Sequence, residues 1–281
     1  MTRLRTLATL TLVLLLAGCN FPGINPSATT PPPIPEETLS PIPPTTLPSA
    51  TEGPVLPPPP ALPEETILIL EPGPGSRLVG SIHIAGMADP TFEQFLGIRI
   101  ILDDGSVAAQ TSTTIQADWG NRGPFAVDVP FTIAGERNAF IHVFTDSPRD
   151  GGITHLNSVG VILAESGPVN VAPASPHPED IVITLPASGA TVSGGMAHVE
   201  GIGIASFEQT LVISIQNAEG TTIATVPVIV GAPDWGVSGP FGADIPYSVT
   251  VEQPGRIVVS DPSMVFVGES HLASVEVNLA P

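Results

Sequence analysis

The chain has no lysine, a single cysteine and few aromatic residues. One cysteine cannot form an internal disulfide, so the burial of apolar side chains must hold any folded part together. The eight basic residues are all arginines and face 27 acidic residues, which gives a net charge of −19. That charge repels phosphate backbones, and the absence of basic clusters excludes electrostatic docking on anionic lipid. We therefore expect no nucleic-acid partner.

The sequence also lacks the short motifs that carry chemistry. It contains no Gly-x-Ser-x-Gly elbow, no phosphate-binding glycine loop and no helical metalloprotease motif. Sustained helical periodicity is missing as well. We predict that the protein is not an enzyme and that it takes no cofactor and no metal.

The first residues have the three parts of an export signal. Arg3 and Arg5 precede an apolar run of about ten residues, which is shorter than the roughly 20 that a spanning helix needs. The run ends in Leu-Ala-Gly before Cys19, which resembles a bacterial lipobox. The resemblance implies that residues 1–18 are removed, that Cys19 is lipidated, and that acyl chains anchor the protein in a membrane outside the cytoplasm. The alternative is an ordinary signal peptide with an incidental cysteine.

A proline-rich segment follows the cysteine. Residues 19–65 consist largely of Pro, Thr, Ser and Glu. Proline fixes its own φ angle and has no amide donor, so the segment can neither join a sheet nor continue a helix. We predict a disordered, extended stalk, which at about 3.1 Å per residue reaches on the order of 100 Å.

One phrase occurs twice in the rest of the chain. Residues 118–125 read Asp-Trp-Gly-Asn-Arg-Gly-Pro-Phe, and residues 234–241 read Asp-Trp-Gly-Val-Ser-Gly-Pro-Phe. A recurrence at a fixed offset indicates duplicated structural units. We predict two tandem modules over 66–164 and 180–281, joined by a linker over 165–179.

The pattern within each module is typical of β-strands. Apolar residues alternate at matched positions: Leu96, Ile98 and Ile100 in the first copy, and Leu211, Ile213 and Ile215 in the second. Period two predicts strands, and Asp104-Gly105 is a hairpin signal. We predict an all-β fold of two immunoglobulin-like β-sandwiches with about seven strands each. Pro130 and Pro246 would lie on an edge strand or at a bulge, since proline cannot donate to a sheet.

A family resemblance follows from the repeated residues. Gly-x-Ala-x-x-x-Phe-Glu at 86–93, its variant at 201–208 and both copies of the tryptophan phrase resemble the bacterial spore-germination immunoglobulin-like domain, which often accompanies GerM domains. The resemblance implies a non-catalytic, extracytoplasmic binding or assembly module. No GerM module is recognisable, and the second copy replaces the polar segment 146–152 with the more apolar 261–268.

The repeated residues are also the candidate binding or structural site. They are Phe92, Glu93, Asp118, Trp119 and Phe125 in the first copy, and Phe207, Glu208, Asp234, Trp235 and Phe241 in the second. Each glutamate follows a core-type phenylalanine, and we predict that its carboxylate accepts backbone N–H bonds and fixes a loop. We expect both tryptophans to pack over a sheet end; exposed rings that stack on sugars or peptide are the alternative.

The sequence also contains two matched pairs of histidines and two loops of different polarity. His83 matches His198, and His155 matches His271. A metal site would need a third ligand, and none of suitable spacing accompanies either pair, so duplicated surface histidines are favoured. The acidic loop at 146–152 reads as a solvated turn. The apolar run at 264–267 predicts either an exposed patch that marks a partner surface or an extra strand.

These observations predict a lipid-anchored, extracytoplasmic binding or scaffolding protein of the bacterial cell envelope, adhesion-like and without catalysis. Its partners would be the membrane, through Cys19, and an unknown envelope protein or glycan. One alternative is an envelope-polymer hydrolase whose site joins Glu93, Asp118 and His155 in a cleft. The other alternative is a passive structural spacer.

The lipidation prediction has a direct test. Cys19→Ala should abolish partitioning of the protein into the detergent phase, because the acyl chains have no other attachment point. Phase separation of membrane extracts, with the unsubstituted chain as control, measures this. Partitioning that survives the substitution contradicts the lipid anchor.

Overall fold

The computed structural model describes residues 62–204 and 208–281, which lie within one compact unit, Pro58–Pro281. The expected signal peptide, Cys19 and nearly all of the expected stalk lie outside the described residues. The described part is all-β, as predicted, with strands and a single 3-10 turn at Phe92–Gln94. In these ranges no helix combines the length and the apolar character needed to cross a bilayer.

The first module is a two-layered sandwich. Its strands are β1 (Ile67–Glu71), β2 (Arg77–Val79), β3 (Ser81–Ala88), β4 (Phe95–Leu102), β5 (Val107–Thr114), β6 (Gly123–Pro130), β7 (Glu136–Asp146) and β8 (Ile153–Ala164). One layer has the order β1-β3-β6, and the other has the order β5-β4-β7-β8. The short β2 pairs with β8 in parallel.

The second module repeats this arrangement strand by strand. Its strands are β9 (Ile181–Leu185), β10 (Thr191–Val192), β11 (Met196–Gly203), β12 (Thr210–Gln216), β13 (Thr222–Ile229), β14 (Gly239–Pro246), β15 (Gln253–Pro262) and β16 (Glu269–Leu279). The layers are β9-β11-β14 and β13-β12-β15-β16, and β10 runs parallel to β16. The predicted sandwich fold is confirmed. The strand count is eight per module instead of about seven, because β2 and β10 are too short to leave a periodic pattern.

Each module has its own apolar core. The alternating residues of β4 and β12 are fully buried, as their period-two pattern predicts. Phe125 is buried beside Gly86 in the neighbouring strand, and Phe241 is buried beside Gly201 in the same way. A Cβ on Gly86 would collide with the Leu68 carbonyl and come within 2.7 Å of the Phe125 ring. The matched glycines therefore make room for the matched phenylalanines.

The hairpin turn predicted at Asp104-Gly105 and the predicted edge positions of the two prolines are confirmed as well, and the second module has a matching turn. Gly105 and Gly220 turn the β4–β5 and β12–β13 hairpins with φ angles of 83° and 75°, a region that favours glycine. Pro130 and Pro246 end β6 and β14, which are edge strands of the small layers. A missing amide donor costs no ladder hydrogen bond on a free edge.

The two sandwiches share one sheet. Strands β8 and β16 pair antiparallel through His271↔Asn157, Leu272↔Leu156 and Ala273↔His155. The large layers thereby join into a ten-stranded sheet that runs through both modules. On one face of this junction, Phe144, Leu156, Val258 and Leu272 form a separate small apolar cluster. The sequence pattern predicted two modules joined by a linker and did not reveal this pairing, because a pairing of only three residues adds no periodicity of its own.

The loop between β7 and β8 is docked on the second module, so its prediction as a solvated turn is wrong. Asp150 accepts hydrogen bonds from Arg256 Nη2 at 2.8 and 2.9 Å, and the Arg256 side chain is fully buried. Arg149 Nη1 donates to Glu276 Oε2 at 2.6 Å. A buried guanidinium is tolerated only when its donors are paired. The loop pairs Arg256 Nη2, while Glu276 and Gln216 accept from Nε and Nη1.

The matching loop of the second module is docked on the first module, but with apolar chemistry. Phe266 stacks on Phe140 at 3.6 Å between ring centroids and is buried. Met264, Val265 and Val267 are exposed. Three of the four residues in the predicted patch are therefore exposed. The fourth, Phe266, forms the contact between the modules.

The segments that precede the two modules also pair with each other. Glu64 forms an antiparallel bridge with Pro178. The amide of Glu65 donates to the His177 carbonyl at 3.2 Å, and the amide of Glu179 donates to the Pro63 carbonyl at 2.9 Å. Residues assigned to the end of the stalk and to the linker thus take part in the junction.

The Asp150–Arg256 pair predicts a pH-dependent stability. Burial raises the pKa of Asp150, but the Arg256 guanidinium and the Gly152 amide outweigh it and hold the pKa at about 2, below the ordinary 3.8. A depressed folded-state pKa means stabilisation that is fully present above the ordinary value and is lost as the pH falls through the folded value. Asp150→Asn should cost roughly 2 kcal/mol above pH 5, and this cost should shrink toward zero near pH 2.

Urea unfolding between pH 2 and 7 measures the difference between the two proteins. Asp128→Asn, at an exposed carboxylate, is the control and should change stability by less than about 0.5 kcal/mol. A cost for Asp150→Asn that stays constant down to pH 2 contradicts the assignment.

Candidate functional site

The tryptophan loops lie at one end of each module and project their rings into solvent. Trp119 is 74% exposed and Trp235 is 65% exposed, so the expectation that they pack over a sheet end is wrong. Ile115, just before this loop, and Phe125, just after it, are buried in the core of the first module, whereas the tryptophan between them stays on the surface. Phe92 is also largely exposed, contrary to its prediction as a core residue.

A glutamine, not the predicted glutamate, fixes the first tryptophan loop, and the matched glutamine makes one longer contact to the second. The buried Gln94 donates through Nε2 to the carbonyls of Ala117 at 2.9 Å and Asp118 at 3.1 Å. In the second copy, Gln209 Nε2 donates to the Ala232 carbonyl at 3.5 Å. Glu93 points to solvent, so the loop-fixing role predicted for it belongs to the next residue. The sequence signal was present, because both glutamines are part of the repeated Phe-Glu-Gln.

The remaining predicted residues divide into surface and core. Asp118 and Asp234 are exposed, and Asp234 Oδ1 accepts the backbone N–H of Trp235 at 2.8 Å. Glu208 is exposed too. Phe125 and Phe241 are buried, which makes them structural. Phe207 lies outside the described residues.

The residues of the alternative hydrolase site are not gathered in one cleft. Glu93 and Asp118 are exposed near the tryptophan loop, whereas His155 is buried at the junction of the modules. A cleft of about 470 Å³ is lined by His155, and neither Glu93 nor Asp118 lines it.

The first histidine pair is duplicated on the surface, as predicted. His83 Nδ1 lies 2.8 Å from Asp128 Oδ1, and His198 Nδ1 lies 2.7 Å from Asp244 Oδ1. His198 also contacts Glu200 at 2.9 Å. Hydrogen bonds to Asp244 and then Glu200 raise the pKa of His198.

The second histidine pair is buried, and the pairing of β8 with β16 brings its members together. His155 and His271 are diagonal neighbours across the two strands, with ring centroids 5.1 Å apart and planes at 90°. Two carboxylates, Glu65 and Glu179, lie beside them. The prediction that these histidines are surface residues without a further ligand is wrong.

The four side chains form a compact group, here called the junction cluster: Glu65, His155, Glu179 and His271. Glu65 spans both imidazoles, with Oε1 at 2.9 Å from His155 Nε2 and Oε2 at 3.1 Å from His271 Nε2. Glu179 Oε1 lies 3.6 Å from His155 Nε2 and 3.3 Å from His271 Nε2. All four residues are buried.

The junction cluster is a product of the duplication. Glu65 lies two residues before β1, and Glu179 lies two residues before β9, an offset of 179 − 65 = 114. His155 and His271 are matched at an offset of 271 − 155 = 116. Each module therefore contributes one glutamate and one histidine. The glutamates were missed because both lie outside the two predicted modules, Glu65 in the predicted stalk and Glu179 in the predicted linker.

Burial and mutual attraction set the charges of the junction cluster. Burial raises the pKa of Glu65, but hydrogen bonds from His155 and His271 outweigh it and hold the pKa well below its usual range. Burial raises the pKa of Glu179. For His271, burial lowers the pKa, yet the bond to Glu65 and the nearby carboxylates outweigh it and raise the pKa overall.

One oxygen of the junction cluster has no hydrogen-bond partner. Glu179 Oε2 accepts the backbone N–H of Thr66 at 2.9 Å, whereas no donor among the described residues reaches Oε1. This oxygen faces both histidine Nε2 atoms instead. The arrangement places two carboxylates and two imidazole nitrogens around a common point.

Comparison with known proteins identifies the first module. Residues 66–152 match the family described as the immunoglobulin-like domain of bacterial spore germination, which confirms the resemblance for that part of the chain. No curated protein matches.

Two solved structures are among those similar to the chain. Red sea bream transglutaminase is 7% identical, with 76% of this chain and 31% of that chain covered and a TM-score of 0.28. Bovine butyrophilin is 11% identical, with 76% and 99% covered and a TM-score of 0.23. The chain thus spans about a third of the transglutaminase. Likeness at this level carries no functional argument.

The glutamine contacts predict which residue holds the tryptophan loop. Gln94→Ala should destabilise the protein by about 1–2 kcal/mol, because it leaves two loop carbonyls without their donor. Amide hydrogen exchange around Trp119 should accelerate as well. Glu93→Gln is the matched control and should leave both measurements within error of the unsubstituted protein. Equal effects from the two substitutions would show that Gln94 has no special role.

Proposed function

Because residues 66–152 match the immunoglobulin-like domain family of bacterial spore germination, we propose that this chain is a lipid-anchored, extracytoplasmic protein that binds and scaffolds without catalysis. The lipobox-like residues before Cys19 support the anchor. The acidic chain without lysine supports a role away from nucleic acid. A location in the cell envelope is consistent with both the lipid anchor and a role away from nucleic acid.

The exposure of both tryptophans is the observation that carries the binding role. Large aromatic side chains are usually buried, because each removes much apolar area from water. Trp119 and Trp235 instead stand in solvent at matched positions on two loops. The glutamine bonds to loop carbonyls hold these loops in place before any partner arrives, so binding needs to order little backbone.

The chemistry of this surface favours a partner with flat or apolar groups. An indole face stacks on a sugar ring, on an aromatic side chain or on proline. The exposed Phe92 extends the aromatic surface on the turn that Gln94 joins to the Trp119 loop. The net charge of −19 repels polyanions, which favours a neutral glycan or a protein with basic residues as the envelope partner.

The junction adds a scaffolding role. The modules share a ten-stranded sheet and exchange loop contacts, so the two tryptophan loops are held on one continuous framework. Two loops on one framework can engage a repetitive polymer together, and the second contact then forms at high effective concentration.

A binding assay with isolated cell envelopes tests the proposal. The full chain carrying Cys19→Ala, which removes the anchor, is incubated with envelope fragments and sedimented. The double variant Trp119→Ala/Trp235→Ala should bind at least about tenfold more weakly, since stacking contributes roughly 1 kcal/mol per ring. Val251→Ala, at a similarly exposed apolar residue, is the control.

Pretreatment of the envelopes separates the two classes of partner. Loss of binding after protease treatment indicates a protein, and loss after glycanase treatment indicates a glycan. Unchanged binding by the double tryptophan variant would refute the role of the loops, and absence of binding by the unsubstituted protein would favour a passive spacer.

A further inference from the structure

We propose that Glu65, His155, Glu179 and His271 bind a single divalent transition-metal ion, preferentially zinc, which ties the two modules together. In the described ranges, 62–204 and 208–281, this is the one group of three or more potential metal-binding side chains whose ligand atoms come together. The proposal replaces the expectation of no metal and is independent of the binding role of the tryptophan loops.

The spacing of the ligand atoms fits a tetrahedral site. With metal–ligand bonds of roughly 2.0–2.1 Å, the ligand atoms of a tetrahedron lie about 3.3–3.4 Å apart. The contacts of the two histidine Nε2 atoms measure 2.9 and 3.1 Å to the two oxygens of Glu65, and 3.6 and 3.3 Å to Glu179 Oε1. With one ligand atom taken from each residue, the four atoms all lie within 4.8 Å of one another. The nitrogen–oxygen contacts bracket the expected edge, and side-chain rotations that draw the four atoms together would seat an ion at the centre.

The donor set selects the kind of metal. Two imidazole nitrogens and two carboxylates suit zinc and neighbouring first-row ions. Calcium requires six to eight oxygen ligands and magnesium prefers an octahedron of oxygens, neither of which two histidines provide. Four protein ligands close the coordination sphere of zinc, which is typical of a structural site instead of a catalytic one.

The unpartnered oxygen is an independent reason to place an ion here. Glu179 is more than nine-tenths buried, and its Oε1 has no hydrogen-bond donor among the described residues although it faces both imidazoles. A buried carboxylate oxygen that accepts no hydrogen bond, and whose imidazole contacts are 3.3 and 3.6 Å long, is costly, and a cation at the centre of the group would satisfy it. The charge of a divalent ion also balances the two carboxylates.

Neighbouring backbone groups orient the carboxylates toward the centre. The amide of Thr66 donates to Glu179 Oε2 at 2.9 Å, and the amide of Ile67 donates to Glu65 Oε1 at 3.3 Å. Supporting bonds of this kind are a regular feature of metal sites, because they fix the ligand geometry. The cleft of about 470 Å³ that His155 and Glu179 line provides an entry path from solvent.

The proposed ion would link the two modules, because each module supplies two of its ligands. One glutamate and one histidine come from each module, so the ion would cross-link β8 to β16 and both entry segments. Binding energy would then stabilise the folded junction, since the ligands converge only when the two modules are docked.

Metal titration of the full-length protein tests the proposal. Detergent-solubilised protein is stripped with a chelator and titrated with Zn²⁺ alone by calorimetry, and with Co²⁺ by visible absorption. We expect one ion per chain, the intense visible bands of tetrahedral cobalt and a rise of several degrees in Tm with zinc. Glu179→Gln and His271→Gln should each weaken zinc binding by at least about tenfold.

The surface histidine provides a matched control. His198 also lies between two carboxylates, so His198→Gln reports adventitious binding and should leave stoichiometry, affinity and Tm shift unchanged. Circular dichroism establishes whether each variant is folded; if a ligand variant unfolds, the cobalt spectrum of the unsubstituted protein decides. Binding that is absent, that is octahedral, or that is lost in His198→Gln and retained in Glu179→Gln would overturn the proposal.

Discussion

The antiparallel pairing of β8 with β16 is the contact on which the rest of the structure depends. An unpaired edge strand exposes a row of backbone donors and acceptors, and proteins cover such edges or pair them. Here each sandwich covers the edge of the other across His155–Asn157 and His271–Ala273. The pairing is short, so side chains must add to it. They do so through an apolar cluster on one face and the junction cluster on the other.

The duplicated modules meet through matched elements whose chemistry has diverged. The two loops that cross the junction occupy equivalent positions, yet one presents Asp150 to a buried arginine and the other stacks Phe266 on Phe140. Hydrogen bonds to the buried charged groups stabilise the ion pair. Burial of apolar ring surface away from water stabilises the aromatic contact. The junction cluster, in contrast, is symmetric, because each copy contributes one glutamate and one histidine.

The sequence predicted what is local and periodic. Alternation at Leu96, Ile98 and Ile100 identified buried strand faces, and the Gly–Pro–Phe phrase located equivalent strands in both copies. Burial of Trp119 was predicted wrongly, because large aromatic side chains are usually buried and the sequence pattern does not show which loop residues the core takes in. Glu65 and Glu179 were missed because their environment depends on contacts 90 or more residues away along the chain, which leave no periodic trace.

The entry point of the polypeptide has a mechanical consequence. Glu64 bridges Pro178 just before β1, so the segment that leads into the first sandwich runs along the seam between the sandwiches. Tension from an anchor on the N-terminal side would load that seam first. Both bodies would resist the pull together, and an outer strand would not peel away alone.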